Sequence, residues 1–318
     1  MANQDNSGGD SSDKLQAARG WPAAECSDPF TLFPPTGEEI PVLIAVPHAG
    51  RAYSAELLAQ MRAPELVMNR LEDRYVDEIA YEAVHDLGAS LLVANAPRAM
   101  LDLNRSRDDV DWSMVKGARQ RPARHSLANR RARSGLGLIP RRLPGHGEIW
   151  RTPLSNDELE HRIDAIHRPY HQALGKELAR IRDRWGAALL IDLHSMPPLR
   201  SNSGTERGAE FVIGDRFGAS CDSALVAAGQ NFLEGRGRVV THNRPYSGGY
   251  VLNAHGMPRQ AIHALQLEVC RSIYLDWDLN LPTDRVKGVA HLVSEFARLL
   301  GREVAQLGSS GFFAQAAE

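Results

Sequence analysis

The chain has 318 residues, of which 43% are hydrophobic and 24% charged, ordinary values for a soluble globular protein large enough for a sizeable core. Its net charge of −2 excludes a global field that recruits nucleic acid or an anionic membrane, and no apolar run of about 18 residues offers a membrane span. Three scattered cysteines, Cys26, Cys221 and Cys270, exclude a cysteine-rich metal site and point to a reducing compartment.

The N-terminus, "MANQDNSGGDSSDKLQA", is polar and lacks the basic start and apolar centre of a signal peptide. It reads as a disordered tail over 1–25, with 26–318 as one domain and the cytoplasm as the default location. "EEIPVLIAVPHAG" follows as a buried strand and loop. "LEDRYVDEIAYEAVHDLG" reads as a helix opened by Glu72 and Asp73, with Val76, Ile79, Ala80 and Ala83 on one face and Gly88 as the stop. "ASLLVANAPRAMLDLNRS" holds two strand-like pieces. The basic stretch 116–147 is rich in Arg, Gly and Pro, and reads as an excursion over the surface.

Ser155 and Glu158 fit a capping box for a long helix that Gly186 ends. Then come the strand "AALLIDLHS", the strand "EFVIG", the helix "CDSALVAAGQNFLE", the strands "RVVTHN" and "IHALQLEV", and a closing helix from "DRVKGVAHL" onward. Strands alternating with helices predict a single α/β domain whose mixed, mostly parallel sheet is covered on both faces.

Four of the strand segments end in polar residues: His48; Arg98, Asn104 and Arg105; Asp192 and His194; Gln266 and Glu268. Ligands of open α/β sheets bind beyond the carboxyl ends of strands, so these residues mark a candidate site. Two histidines and one carboxylate are a common catalytic zinc set; His48 and His194 supply the imidazoles, and Glu72 or Asp73 the carboxylate. Hydrogen-bonded core histidines are the bland alternative. Asp192 lies two residues before His194, hence on the same strand face, where it can accept the second ring N–H of a metal-bound histidine or serve as a structural acid. Glu268 in an apolar strand suits a general base, with a buried arginine partner as the alternative. Arg98, Asn104 and Arg105 form an anion-recognition set, unless the arginines merely pair with Asp102. Gly248 and Gly249 between tyrosines fit a lid, a close ligand approach or a hairpin turn. His85, His161, His167 and His171 read as helix-surface or packing residues.

Taken in order, "VPHAG", "DRYVDEI", "PRAMLDLNR", "HRPYHQAL", "IDLHSMP", "GGYVLNAHG" and "QLEV" resemble the N-formylglutamate amidohydrolase family over about 40–274. The resemblance implies a fold related to the zinc carboxypeptidases and aspartoacylase. It implies one zinc per chain, or another divalent metal, on His48, His194 and Asp73, with Glu72 second to Asp73. It implies Glu268 as general base and Arg98 polarising a carbonyl or gripping a carboxylate. Asn104 and Arg105 would bind a substrate carboxylate, with Gly249, Tyr250 and His255 also on the substrate side. The expected partner is a small N-acyl acidic amino acid, first of all N-formyl-L-glutamate, with homo-oligomerisation left open. The rival readings are a carboxypeptidase-like or aspartoacylase-like hydrolase of another small acidic amide, and a non-catalytic anion-binding protein on the same fold.

Overall fold

A computed structural model describes residues 28–117, 130–199 and 208–315; the expected tail and the middle of the basic excursion, 118–129, lie outside the described residues. Phe30–Phe33 (β1), Val42–Val46 (β2), Ser90–Ala94 (β3), Ala188–Met196 (β4), Phe211–Gly214 (β5), Val240–His242 (β6) and Ile262–Cys270 (β7) form one sheet. Its order is β1-β3-β2-β4-β7-β5-β6. The β3/β2, β2/β4, β4/β7 and β5/β6 pairs are parallel, and β1/β3 and β7/β5 antiparallel, which is the mixed, mostly parallel α/β sheet that the pattern predicts.

Helices cover both faces, which is why the central strands read as continuous apolar runs. Leu189, Ile191 and Leu193 of β4 and Leu265, Leu267 and Val269 of β7 enter one core layer. That layer also receives Val76–Val84 (α3), Ser223–Gly235 (α6) and Arg285–Gln315 (α8). The other parity, Ala188 and Leu190 of β4 with Ile262 and Ala264 of β7, packs on Asn156–Arg162 (α4), Arg168–Trp185 (α5) and Tyr250–His255 (α7). Asp192, His194, Gln266 and Glu268 continue this second parity toward the strands' carboxyl ends. A slip of one residue would drive these four groups into the apolar layer without partners, so the register is strongly specified.

The structure departs from the sequence reading in several places. The helix expected to open at Glu72 and Asp73 begins at Val76, after a left-handed Tyr75 (φ 56°), and two separate helices, Ala55–Gln60 (α1) and Pro64–Leu71 (α2), precede the break. Asp73 is thereby carried on a link whose backbone N–H donates to the His48 carbonyl at 3.0 Å, a geometry that an unbroken helix would forbid. The second strand-like piece, "MLDLN", forms turns rather than a strand. The long helix is interrupted by a π-helical turn, Ile163–His167. Ser155 caps it as expected, but the Glu158 carboxylate accepts from Arg162 (2.8 Å). "GGYVLNAHG" contains α7, not a hairpin, with Gly249 at its N-cap. The described part of the basic excursion is not all surface: Leu138, Ile139 and Leu143 are buried. No helix among the described residues is long and apolar enough to cross a membrane.

Candidate metal centre and active site

His48 lies two residues beyond β2, on a loop pressed against the segment after β3. A Cβ on Gly50 would fall 2.1 Å from the Ala96 carbonyl oxygen, so only glycine permits that approach. Asp73 comes from the α2–α3 link, and His194 from the last turns of the β4 pleat. The three residues are buried, and their ligand atoms lie within 4.8 Å of one another. Glu72, the other candidate, is turned away: its Oε2 accepts from Arg74 Nη1 at 3.2 Å.

Each histidine has one nitrogen tied to a carboxylate and the other aimed at the shared centre. His48 Nε2 is 2.7 Å from Asp102 Oδ1. A carboxylate accepts, so that nitrogen carries the proton and Nδ1 keeps its lone pair. His48 Nδ1 is buried without a hydrogen-bond partner and stands 3.6 Å from Asp73 Oδ2. His194 differs in bridging two carboxylates, with Nε2 2.9 Å from Asp192 Oδ2 and Nδ1 2.9 Å from Asp73 Oδ2; a cation on Nδ1 would take the place of the proton shared with Asp73. An orphaned buried lone pair, a second imidazole nitrogen and a carboxylate oxygen around one point are the donor set of a divalent cation, and the acids behind the rings are its usual supports.

The electrostatics agree. Burial alone would push the Asp73 carboxyl up, but the hydrogen bond from His194 and the closeness of both imidazoles hold it well below its ordinary value. Burial works against a charged His194, yet Asp192 and Asp73 hold its pKa well above the usual imidazole range. Burial would also raise Asp102; Arg98, His48 and Arg105 overcome it and keep the carboxyl ionised. Asp73 and Asp102 are thus held in the ionised form that a cation between the two rings requires.

Glu268 stands on β7 directly beside His194 on β4, and Gln266 beside Asp192. In a parallel pair these neighbours share a face. Gln266 Nε2 donates to Glu268 Oε1 at 2.8 Å. Burial, reinforced by Asp73 and Asp192 and opposed by His194 and Arg98, raises the Glu268 carboxyl to about 7. A carboxylate with that basicity can take up and return a proton near neutral pH.

The arginines of the anion set do pair with Asp102, and the pair is buried, not superficial. Arg98 Nε donates to Asp102 Oδ2 at 3.0 Å. Arg105 Nε donates to the Leu136 carbonyl (3.0 Å) and Nη1 to the Asn104 carbonyl (2.7 Å). Neither outer Nη2 has a hydrogen-bond partner among the described residues, so both guanidinium groups keep donors for a ligand. Asn104 accepts from the Val251 N–H at 2.9 Å, and its Nδ2 lies 3.3 Å from His194 Nε2. A Cβ on Gly249 would lie 2.4 Å from Asn104 Oδ1, which explains the glycine. Tyr250 starts α7 beside this loop, while His255 points at His171, not at the metal group.

Sequence reasoning missed Asp102 as the acid behind His48. It missed Arg271 altogether. Arg271 Nε donates to Ser195 Oγ at 3.0 Å, Nη2 donates to the Glu72 carbonyl, and Nη2 is 3.5 Å from Asp73 Oδ1. It braces the oxygen of Asp73 that the histidines do not use. The available signal was a charged residue directly after a strand, "QLEVCR", that already delivers Glu268 to the site.

Known proteins share this chain's sequence pattern and fold. The family model described as N-formylglutamate amidohydrolase matches residues 40–275. N-formylglutamate deformylase of Pseudomonas aeruginosa is 31% identical over 246 residues, 74% of this chain and 83% of that protein. The Pseudomonas putida enzyme of the same name is 31% identical over 240 residues, 74% and 82% of the two chains. The crystal structure of N-formylglutamate amidohydrolase from Ralstonia eutropha JMP134 superimposes with a TM-score of 0.78 at 30% identity, covering 87% of this chain and 99% of that one. A gene product of Agrobacterium tumefaciens, 18% identical with a TM-score of 0.62, shares the fold over 88% of this chain and 96% of its own.

Proposed function

Because the chain belongs to the N-formylglutamate amidohydrolase family, we propose that it hydrolyses the formamide of N-formyl-L-glutamate, yielding formate and L-glutamate, with a divalent cation, zinc first, on His48, Asp73 and His194. The observation that carries this reading is the convergence of those three buried donors beside Glu268 at the carboxyl ends of β2, β4 and β7. His48, Asp73 and His194 would hold the cation, whose chemistry would be to polarise the formyl carbonyl and lower the pKa of water from about 16 toward about 7. The chain's own groups do the rest. Glu268 takes a proton from the attacking water and returns it to the departing amine as the C–N bond breaks. Gln266 holds Oε1 of Glu268 and fixes the carboxylate's orientation.

Arg98 keeps Asp102 ionised and in place, and so keeps His48 Nδ1 as a lone-pair donor. Its outer nitrogen serves the carbonyl oxygen or one substrate carboxylate. N-formylglutamate carries two carboxylates and calls for at least two cationic groups; Arg105 with Asn104 supplies the second.

The test is a hydrolysis screen over N-formyl and N-acetyl forms of Glu, Asp and His and their dipeptides, with metal analysis of protein purified without chelator. The expected result is formate release fastest from N-formyl-L-glutamate and about one divalent cation per chain, as in sites with three protein ligands. Metal-loaded protein that releases no formate would sink the reading. A protein that binds no divalent cation would leave the anion-binding alternative.

A further inference from the structure

Beside the metal centre, on the same side of the sheet, lies a second group of histidines that the proposed reaction does not use. His167 ends the π-helical turn, His171 lies on α5 and His255 ends α7. Their partners are carbonyls and one another. His167 Nε2 is 2.9 Å from the Arg105 carbonyl oxygen, and His171 Nε2 is 3.0 Å from that of Leu103. His171 Nδ1 is 3.0 Å from His255 Nε2. The His171 and His255 rings lie nearly parallel (12°), 5.3 Å apart, and Tyr250 packs on both His167 and His171.

The donor roles follow from the partners. A carbonyl only accepts, so His167 and His171 each carry a proton on Nε2. His171 Nδ1 is then an acceptor when neutral, and His255 Nε2–H is its donor. Burial lowers the pKa of all three rings, His255 to about 4, which keeps them uncharged at neutral pH. With both nitrogens of His171 engaged in this way, the cluster is no second metal site. Its product is a fixed backbone. Leu103 and Arg105 give their carbonyls to imidazoles, and the Asn104 carbonyl between them accepts from Arg105 Nη1 (2.7 Å) and, more weakly, from the Tyr250 N–H (3.4 Å). Three consecutive carbonyls of a turn with no strand partner are thereby satisfied by side chains and α7.

We propose that His167, His171 and His255 are positioning residues for substrate recognition: neutral imidazoles that hold the Leu103–Asn104–Arg105 backbone so that Asn104 and Arg105 face the substrate's carboxylate. This rests on the reading above that Asn104 and Arg105 bind that carboxylate. A misplaced charge-assisted contact loses much of its strength, so the cost falls on substrate binding and on discrimination between charged and neutral side chains.

The discriminating variants are His167→Gln, His167→Asn, His171→Gln and His171→Asn. A glutamine amide nitrogen reaches the place of Nε2 and can donate to the same carbonyl; an asparagine amide nitrogen stops at the place of Nδ1. The readouts are kcat and KM for N-formyl-L-glutamate and N-formyl-L-glutamine, beside metal content and melting temperature, with Arg105→Ala in parallel. The expected result is that Arg105→Ala abolishes the preference for the charged substrate. Both Asn variants should raise KM for N-formyl-L-glutamate about 10-fold and lower that preference by a similar factor, the scale of one weakened charge-assisted hydrogen bond. The Gln variants should restore both, with metal content unchanged throughout. If Arg105→Ala keeps the preference, the reading of Arg105 fails and takes the inference with it. If Arg105→Ala loses it while both Asn variants keep it, or if Gln and Asn variants behave alike, the inference alone is overturned. A measurement that needs no variant is 15N spectroscopy of the wild-type histidines at neutral pH: Nε2–H neutral tautomers at His167 and His171 are expected, and an imidazolium at either overturns the proposal.

Discussion

The two histidine clusters on this side of the sheet are built from the same side chain, buried except for a partly buried His171, and have opposite properties. His48 and His194 are backed by Asp102 and Asp192 and share Asp73. His167 and His171 are backed by carbonyls, and His255 by another imidazole. In the first cluster the carboxylates outweigh burial and His194 is shifted up; in the second burial wins and the rings are shifted down. The contrast teaches that burial alone does not decide what a histidine does. A carboxylate behind the ring makes the far nitrogen a strong electron-pair donor, suited to a cation. A carbonyl leaves the ring a neutral donor that can only hold something in place.

The comparison is tested most severely at the metal-facing nitrogens. His48→Ala or His194→Ala should remove the bound cation and, with it, turnover, while the chain stays folded; full cation occupancy by elemental analysis in both variants would break the distinction between the clusters. Next in size is Glu268→Gln, which keeps shape and hydrogen bonding but cannot take a proton. It should retain the cation and lose about 10²-fold to 10⁴-fold in turnover. Near-normal turnover would move the role elsewhere.

The supporting acids come third. Asp192→Asn and Asp102→Asn should each weaken cation affinity by about 10-fold to 100-fold in a competitive titration, with little change in melting temperature once the cation is saturating. A variant that melts far lower yet binds the cation normally would make that acid structural and erase its contrast with the carbonyls behind His167 and His171.

The smallest effect concerns acid stability. His255 has a folded pKa of about 4 against about 6.5 when unfolded, because burial disfavours its charge, and Asp192 and His167 are the groups that act on it. The unfolded chain therefore binds the proton first. This contribution to stability is full above about pH 6.5 and is lost as pH falls toward 4. His255→Gln should flatten the fall in melting temperature across that window relative to the wild type; parallel curves would show that His255 does not titrate as a buried neutral ring.

Much of the site was legible in the chain because it is written locally. The period of two on β4 places Asp192 and His194 on one face whatever the rest of the molecule does. An acid in "QLEV" must be paired or put to use, and a Ser155 cap with Gly186 at the other end bounds a helix by backbone chemistry alone. The choice between Glu72 and Asp73 was not legible. It depends on a left-handed Tyr75 that ends one helix and starts another, and only the packing of α2 and α3 shows where that break falls. "MLDLN" misled in the same way: its alternation fits a strand, but no neighbouring described strand accepts it, and its Leu103 carbonyl goes to His171 instead.

The sequence by itself therefore determined the α/β class, the strand faces and the residue types available for chemistry, since all three follow from periodicity and the cost of burying polar groups. The tertiary structure alone decided which partners those residues meet: Asp102 behind His48, Arg271 against Asp73, and three histidines around the Leu103–Arg105 backbone. Hydrogen bonds of this kind join residues tens to hundreds of positions apart. Their strength depends on angstroms of separation and on exclusion of water, which the folded chain settles and local pattern does not carry.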